Sequence, residues 1–197
     1  IKDLAKEYAD LNGDSLVNVS AEERKKALVD YALPKNIKKM QADMEKYKIF
    51  YDKWFFESEL HKSGAVKAVV DLLTEKGLTY EKDGAVWYKN KEVLTQKLLK
   101  EGKSQKYIDN LELKDDVLIR QNGNPTYFTA DIAYHKNKFD RGFTTLIDVW
   151  GADHHGHVMR MKGAMDAIGY DGDKLNVVLM QLVKLVKDGE LVKMSKR

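Results

Sequence analysis

Residues 144–180 hold the pattern that most limits how this chain can fold. Thr144-Thr145-Leu146-Ile147-Asp148-Val149-Trp150 is a short, β-branched and apolar run, with the length and composition of a buried strand. Val158, Met161, Met165 and Ile168 then recur at helical steps, and Gly169 supplies a stop. Leu175-Asn176-Val177-Val178-Leu179-Met180 reads as a second strand. Strand, helix and strand joined by short connections require a parallel pair with a right-handed crossover. The fold class is therefore expected to be α/β.

Upstream the texture changes. Residues 1–115 read as mainly helical with one hairpin. Ser20-Ala21-Glu22-Glu23 is a capping box, in which hydroxyl and carboxylate satisfy free N–H groups at a helix start. That helix is expected to stop near Leu33, because Pro34 disfavours helical geometry at its predecessor. Ile37, Met40, Met44, Tyr47 and Tyr51 predict a further amphipathic helix. The Trp54-Phe55-Phe56 knot is expected to bury against it. Val66, Val69, Val70 and Leu73 predict another helix, closed by Gly77. Leu78 to Tyr88 turns at Asp83-Gly84, a two-residue hairpin signal, and residues 91–115 read as short helix and loop. Val117-Leu118-Ile119-Arg120 is expected to open the second half as a strand, followed by a turn at Asn122-Gly123 and a helix over 130–138. Leu182 to Val192 folds about Asp188-Gly189 as a hairpin, leading into Lys193-Met194-Ser195-Lys196-Arg197.

The formal charge of +3 on 197 residues is too small to argue by itself for nucleic-acid binding. Zero cysteines exclude disulfides and thiolate metal sites, and fit a reducing cytoplasm. No apolar run approaches the roughly 18 residues of a membrane span. Ile1 in place of an initiator methionine suggests a piece of a longer chain.

Ligands of an open α/β sheet bind beyond the carboxyl ends of its strands. Gly151-Ala152-Asp153-His154-His155-Gly156-His157 falls there. Gly151 permits a sharp turn or a close ligand approach. Asp153 is either a helix N-cap or a ligand group. His154 and His157 share one side of the first helical turn. Zinc is the rival reading of this cluster, since imidazole and carboxylate suit it. Adjacent His154 and His155 point roughly 100° apart, however, leaving at best one spaced pair and a carboxylate. Residues 154–157 also match the H-x-G-H nucleotide-binding signature of class I aminoacyl-tRNA synthetases, a short pattern whose position here marks it as a decoy. The terminal KMSKR is either a solvated basic tail or a loop that grips phosphate oxygens. As a loop, its ammonium and hydroxyl groups act where charge develops on leaving pyrophosphate, and such contacts are commonly worth on the order of 3–4 kcal/mol.

With these residues in view, the chain resembles the arginyl-tRNA synthetases of class I. The match is most specific in Tyr127-Phe128-Thr129-Ala130-Asp131-Ile132-Ala133-Tyr134-His135, in Trp150 to His157, in Gln181-Leu182-Val183 and in KMSKR. Residues 51–60 and 83–87 also look like that family's connecting region.

The resemblance implies the second half of a class I Rossmann-type parallel sheet, residues 116–197, preceded by a mainly helical connecting insertion with a β-hairpin, residues 1–115. It implies that ATP activates arginine to arginyl-adenylate, and that the arginyl group moves to tRNA(Arg). The family's HIGH signature belongs before residue 1, and its anticodon-binding domain after Arg197. Tyr127 and Asp131 match the residues that recognise the guanidinium. A carboxylate can accept two parallel N–H bonds, and a tyrosine adds a ring face or hydroxyl. From the residues alone, helix-start stabilisation explains Asp131 and core packing explains Tyr127 equally well. His154 corresponds to a position near the amino acid. Gly151, Asp153, Gln181, Val183 and Met194 fall to the ATP side, and Lys193, Ser195 and above all Lys196 to the phosphate-clamping loop. His135 reads as a surface histidine or a partner behind Asp131. ATP enters with Mg2+, no structural metal is expected, and the full-length protein is expected to be a monomer. Two rival classes remain: a non-catalytic nucleotide- or tRNA-binding module, and a zinc protein using residues 153–157.

Overall fold

The computed structural model describes residues 1–181 and 183–192. Contacts divide the chain into two compact units, residues 1–54 and residues 55–197.

The first unit holds α1 (Lys2–Asn12) and α2 (Ala21–Lys46). The capping box is present at the start of α2. Ser20 Oγ accepts from the Glu23 amide (3.2 Å), and the Glu23 carboxylate accepts from the Ser20 amide (3.0 Å). The Ser20 hydroxyl, which also donates to that carboxylate (2.7 Å), and then the Ser20 amide hold the Glu23 carboxyl below its usual range. The expected stop at Leu33 is not observed: α2 runs through Pro34 as one helix. Proline removes one internal bond. Here the loss falls at an exposed turn beside the Asp30 carbonyl, in a helix with two full turns or more on either side. The expected second amphipathic helix is thus the later half of α2, which ends before Tyr47 and Tyr51. No residue of α1 or α2 is buried. What joins them is a Tyr8–Tyr31 edge contact (5.0 Å between centroids) and Lys35, which donates to Glu7 and to the Tyr31 hydroxyl.

The aromatic knot does not stay together. Trp54 packs edge-on to Tyr51, Phe56 is exposed, and Phe55 opens the second unit by stacking on Tyr134 (4.8 Å).

The second unit has a real core. After α3 (Glu57–Lys62), α4 (Ala65–Glu75) buries Val66, Val69 and Leu73. Each such side chain contributes about 1.5–3 kcal/mol. The Gly77 amide bonds to the Thr74 carbonyl and the Leu78 amide to that of Leu73, a paired C-terminal closure. Strands β1 (Thr79–Lys82) and β2 (Ala85–Tyr88) turn at Asp83-Gly84, both at positive φ as a tight hairpin demands. The stretch read as short helix and loop contains α5 (Asn90–Lys100) and α6 (Gln105–Asp109).

β3 (Asp116–Ile119) is an antiparallel partner of β2, not a member of the parallel sheet. A run of three apolar residues does not declare its partner, and the hairpin offers it a free edge nearby. Tyr80 fastens the approach by donating to Asp115 (3.0 Å). Residues 115 and 116 therefore lie inside one packed unit.

α7 (Tyr127–Asp140), β4 (Leu146–Gly151), α8 (His155–Ile168) and β5 (Leu175–Met180) follow in order, and β4 pairs parallel with β5 as the sequence pattern requires. α8 ends at Gly169, φ 100°. Met161, Ala164, Met165 and Ile168 of α8 meet Leu146, Leu175, Phe128 and Ile132 in the core. Only one face of the pair is covered: Ile147, Val149, Val178 and Met180 are exposed, although the whole run reads as buried. Among the described residues the parallel sheet has two strands. β6 (Leu185–Lys187) and β7 (Glu190–Val192) form the last hairpin about Asp188-Gly189.

Candidate functional site

The first turn of α7 is pinned to β3 by its own hydroxyls. Thr126 donates to the Val117 carbonyl and Thr129 to the Leu118 carbonyl, both at 2.8 Å. Thr126 Oγ also accepts from the Thr129 amide and so caps the helix. This leaves Tyr127, 78% exposed, at the opening of α7 and Asp131 one turn later on the same side. Both bland explanations weaken. Tyr127 does not pack in the core, and Asp131 lies beyond the first turn.

The second wall is the carboxyl end of β4. Trp150 is followed by Gly151, a 3-10 turn over Ala152–His154, and then α8. Asp153 caps no helix: α8 starts at His155, and no side-chain cap bond is made there. Asp153 and His154 stay exposed, with Oδ2 and Nε2 4.0 Å apart. His157, the third residue of α8, is tilted against the Trp150 ring (5.3 Å) and edge-on to Phe128 (5.5 Å). Its Nε2 stands 3.4 Å from Asp131 Oδ2, yet this buried nitrogen makes no hydrogen bond. The Asp131 side chain is 43% exposed. Asp131, His157, Trp150 and His154 are therefore successive neighbours and border one candidate cleft, a carboxylate with spare acceptor capacity beside aromatic rings.

Gly151 pairs with Met180, the last residue of β5, so exposed Gln181 leaves the sheet beside Gly151. Val183 is exposed two residues further on. Lys193, Met194, Ser195 and Lys196 lie outside the described residues.

His155 turns to the other side of α8. There it lines a cavity of about 640 Å³ with Asn90, Leu94, Asp116 and Arg160. Arg160 pairs with Asp116 through two nitrogens and covers the Phe128 ring (4.8 Å). Burial nevertheless raises the Asp116 carboxyl above its usual value, outweighing Arg160. The histidine cluster is thus split between two faces, and among the described residues no three His, Asp or Glu side chains are grouped to hold a metal.

Sequence reasoning missed a buried charge cluster behind the cleft. His135, read as a surface histidine or a partner behind Asp131, is 3% exposed, which removes the first reading. Its Nε2 lies 2.5 Å from Asp148 Oδ2 and its Nδ1 2.7 Å from the Asp131 carbonyl. Lys138 donates to the other Asp148 oxygen at 2.7 Å. Burial pushes the Asp148 carboxyl up, but His135 and Lys138 outweigh it and hold it below its usual range. The signal was available: a carboxylate at an inward position of a strand demands a partner.

No family model matches the chain. It is 54% identical over its whole length to arginine–tRNA ligase of Caldanaerobacter subterraneus, and 49% identical over 98% of its length to that of Ruminiclostridium cellulolyticum. The chain belongs with the arginyl-tRNA synthetases. It spans about a third of the length of the curated relatives it matches, 32% and 31% of these two. Among solved structures, one from Campylobacter jejuni described as an arginyl-tRNA synthetase superposes on 98% of the chain and 38% of its own. Its TM-score is 0.74 at 36% identity. Thermus thermophilus arginyl-tRNA synthetase shares the fold, at TM-score 0.62 and 18% identity over 91% of this chain and 34% of its own. Among the described residues, no helix is long and apolar enough to cross a membrane.

Proposed function

We propose that this chain is the part of an arginine–tRNA ligase that selects arginine and begins the ATP site. The observation that supports the reading is the grouping of Asp131, His157, Trp150 and His154 where β4 gives way to α8, with exposed Tyr127 one turn before Asp131 on α7. Asp131 accepts the guanidinium through two N–H bonds, with Tyr127 beside it and His154 near the amino-acid end. Gly151, Asp153, Gln181, Val183 and Met194 border ATP, which enters as its magnesium complex. Lys193, Ser195 and Lys196 grip the phosphates. The arginine carboxylate attacks the α-phosphorus and pyrophosphate leaves; a terminal ribose hydroxyl of tRNA(Arg) then attacks the carbonyl carbon and AMP leaves.

The same reading makes residues 116–197, through their parallel pair β4–β5, the part that carries the second half of a Rossmann-type sheet, and residues 1–115 the connecting insertion, with β3 packed on the insertion's hairpin. The apolar outer face of Ile147, Val149, Val178 and Met180 supports this, since parallel sheets are ordinarily covered on both sides. The enzyme acts as a cytoplasmic monomer.

The test is ATP–pyrophosphate exchange by the complete enzyme that carries this segment, with each amino acid in turn and tRNA present. Arginine alone is expected to stimulate exchange. Stimulation by lysine or glutamine but not arginine rejects the proposal. In the same assay Lys196→Ala is expected to slow adenylate formation by roughly 100-fold or more with little change in arginine affinity.

A further inference from the structure

His135 sits where the two walls of the cleft join. It lies on α7 one turn after Asp131, and its ring also meets Trp150 edge-on (6.3 Å). The Asp131 carbonyl can only accept, so His135 Nδ1 is the donor there. Asp148, kept ionised by Lys138 and by the ring itself, accepts at Nε2. His135 therefore spans from the backbone of the residue that faces the guanidinium to the strand that delivers Trp150 and Gly151. Helix packing alone leaves α7 free to slide by fractions of an ångström along β4. Two directional bonds made to a buried carboxylate remove that freedom.

We propose that His135, with Asp148, is a positioning residue for arginine: it fixes the Asp131 turn of α7 against β4 and so sets where the guanidinium-accepting carboxylate stands. The inference rests on the arginine-activating reading above. The carboxylate of Asp131 touches substrate; His135 does not, and acts through it. His157, at 3.4 Å, borders Asp131 from the opposite wall and supports no hydrogen bond that could replace this anchor.

The experiment compares arginine and ATP dependence in the complete enzyme, with tRNA present, for the wild type, His135→Gln, His135→Ala and Asp148→Asn. Glutamine keeps a donor near the Nε2 position and alanine keeps neither. His135→Ala is expected to raise KM for arginine on the order of tenfold or more, the size of a lost charge-assisted bond. Its KM for ATP is expected to stay within about twofold. His135→Gln is expected to recover part of the loss, and Asp148→Asn to reproduce it. Equal rises in both KM values, or a fall in kcat alone, overturn the inference, because a merely loosened fold does not single out one substrate. If His135→Ala does not fold, His135→Gln and Asp148→Asn decide: arginine KM within twofold of wild type in both overturns it. Failure of the wild type to activate arginine counts instead against the function proposed above.

Discussion

Helices α2 and α7 were both legible as helices, yet they are held by opposite means. α2 is long, exposed and buries nothing; it persists through its capping box, the Lys26–Asp30 and Lys46–Asp43 ion pairs and a few contacts to α1. α7 has an undistinguished amphipathic pattern, and six of its residues are nonetheless buried, including Thr129 and His135. Its buried Thr129 and His135 are bonded outward, to β3 at one end and to Asp148 of β4 in the middle. Local signals write the first kind of helix into the sequence. The second kind is specified by where its polar side chains find partners, and the candidate site is attached to that kind.

Removing charge from the α7 anchor should have the largest effect on stability. Asp148→Ala leaves His135 and Lys138 facing an apolar gap, and is expected to cost about 3–5 kcal/mol in urea unfolding. A loss below about 1 kcal/mol would mean that the cluster is not an anchor. Its pH dependence has a definite sign. The Asp148 carboxyl titrates below its usual value in the folded protein. Its contribution is therefore complete above about pH 4 and disappears as pH falls through the depressed value. Wild type should lose more stability than Asp148→Asn on acidification below pH 4, and an identical decline in the two contradicts the assignment.

Cavity formation comes next. Met165→Ala, at a fully buried position of α8, is expected to cost about 2–5 kcal/mol by the same measurement. Much smaller is Ser20→Ala, which removes one cap bond from α2 and should cost about 1 kcal/mol. Because α2 has no core to melt, that loss should be read as fraying of its first turn by amide exchange, with α7 unchanged. At the bottom stands Lys26→Ala. Its pair with Asp30 is exposed on both sides, and a change under about 0.5 kcal/mol is expected.

The parts legible in advance were those governed by local chemistry. Both Asp-Gly hairpins, the Gly77 and Gly169 helix ends and the parallel β4–β5 pair all follow from turn geometry or periodicity. The partner of β3 was not legible, because a short apolar strand carries no label for the edge it joins. The path of α2 through Pro34 was missed for a related reason: the cost of a proline depends on whether the freed carbonyl is exposed, which is a tertiary fact. At the candidate site, Asp131, Tyr127 and His154 are legible as candidates through the family resemblance, since the residues alone explain the first two equally well by helix stabilisation and core packing. The His135–Asp148–Lys138 cluster could not be assembled from spacing, since it joins a helix to a strand. The inward carboxylate of β4 was the one available hint.

The central claim is that Asp131 is the acceptor for the arginine guanidinium at the mouth of this cleft. Asp131→Asn in the complete enzyme tests it most directly, through KM for arginine and for ATP measured with tRNA present. A rise of at least about tenfold for arginine, with ATP nearly unchanged, is the predicted result. Equal weakening of both substrates, or arginine use indistinguishable from wild type, would contradict it.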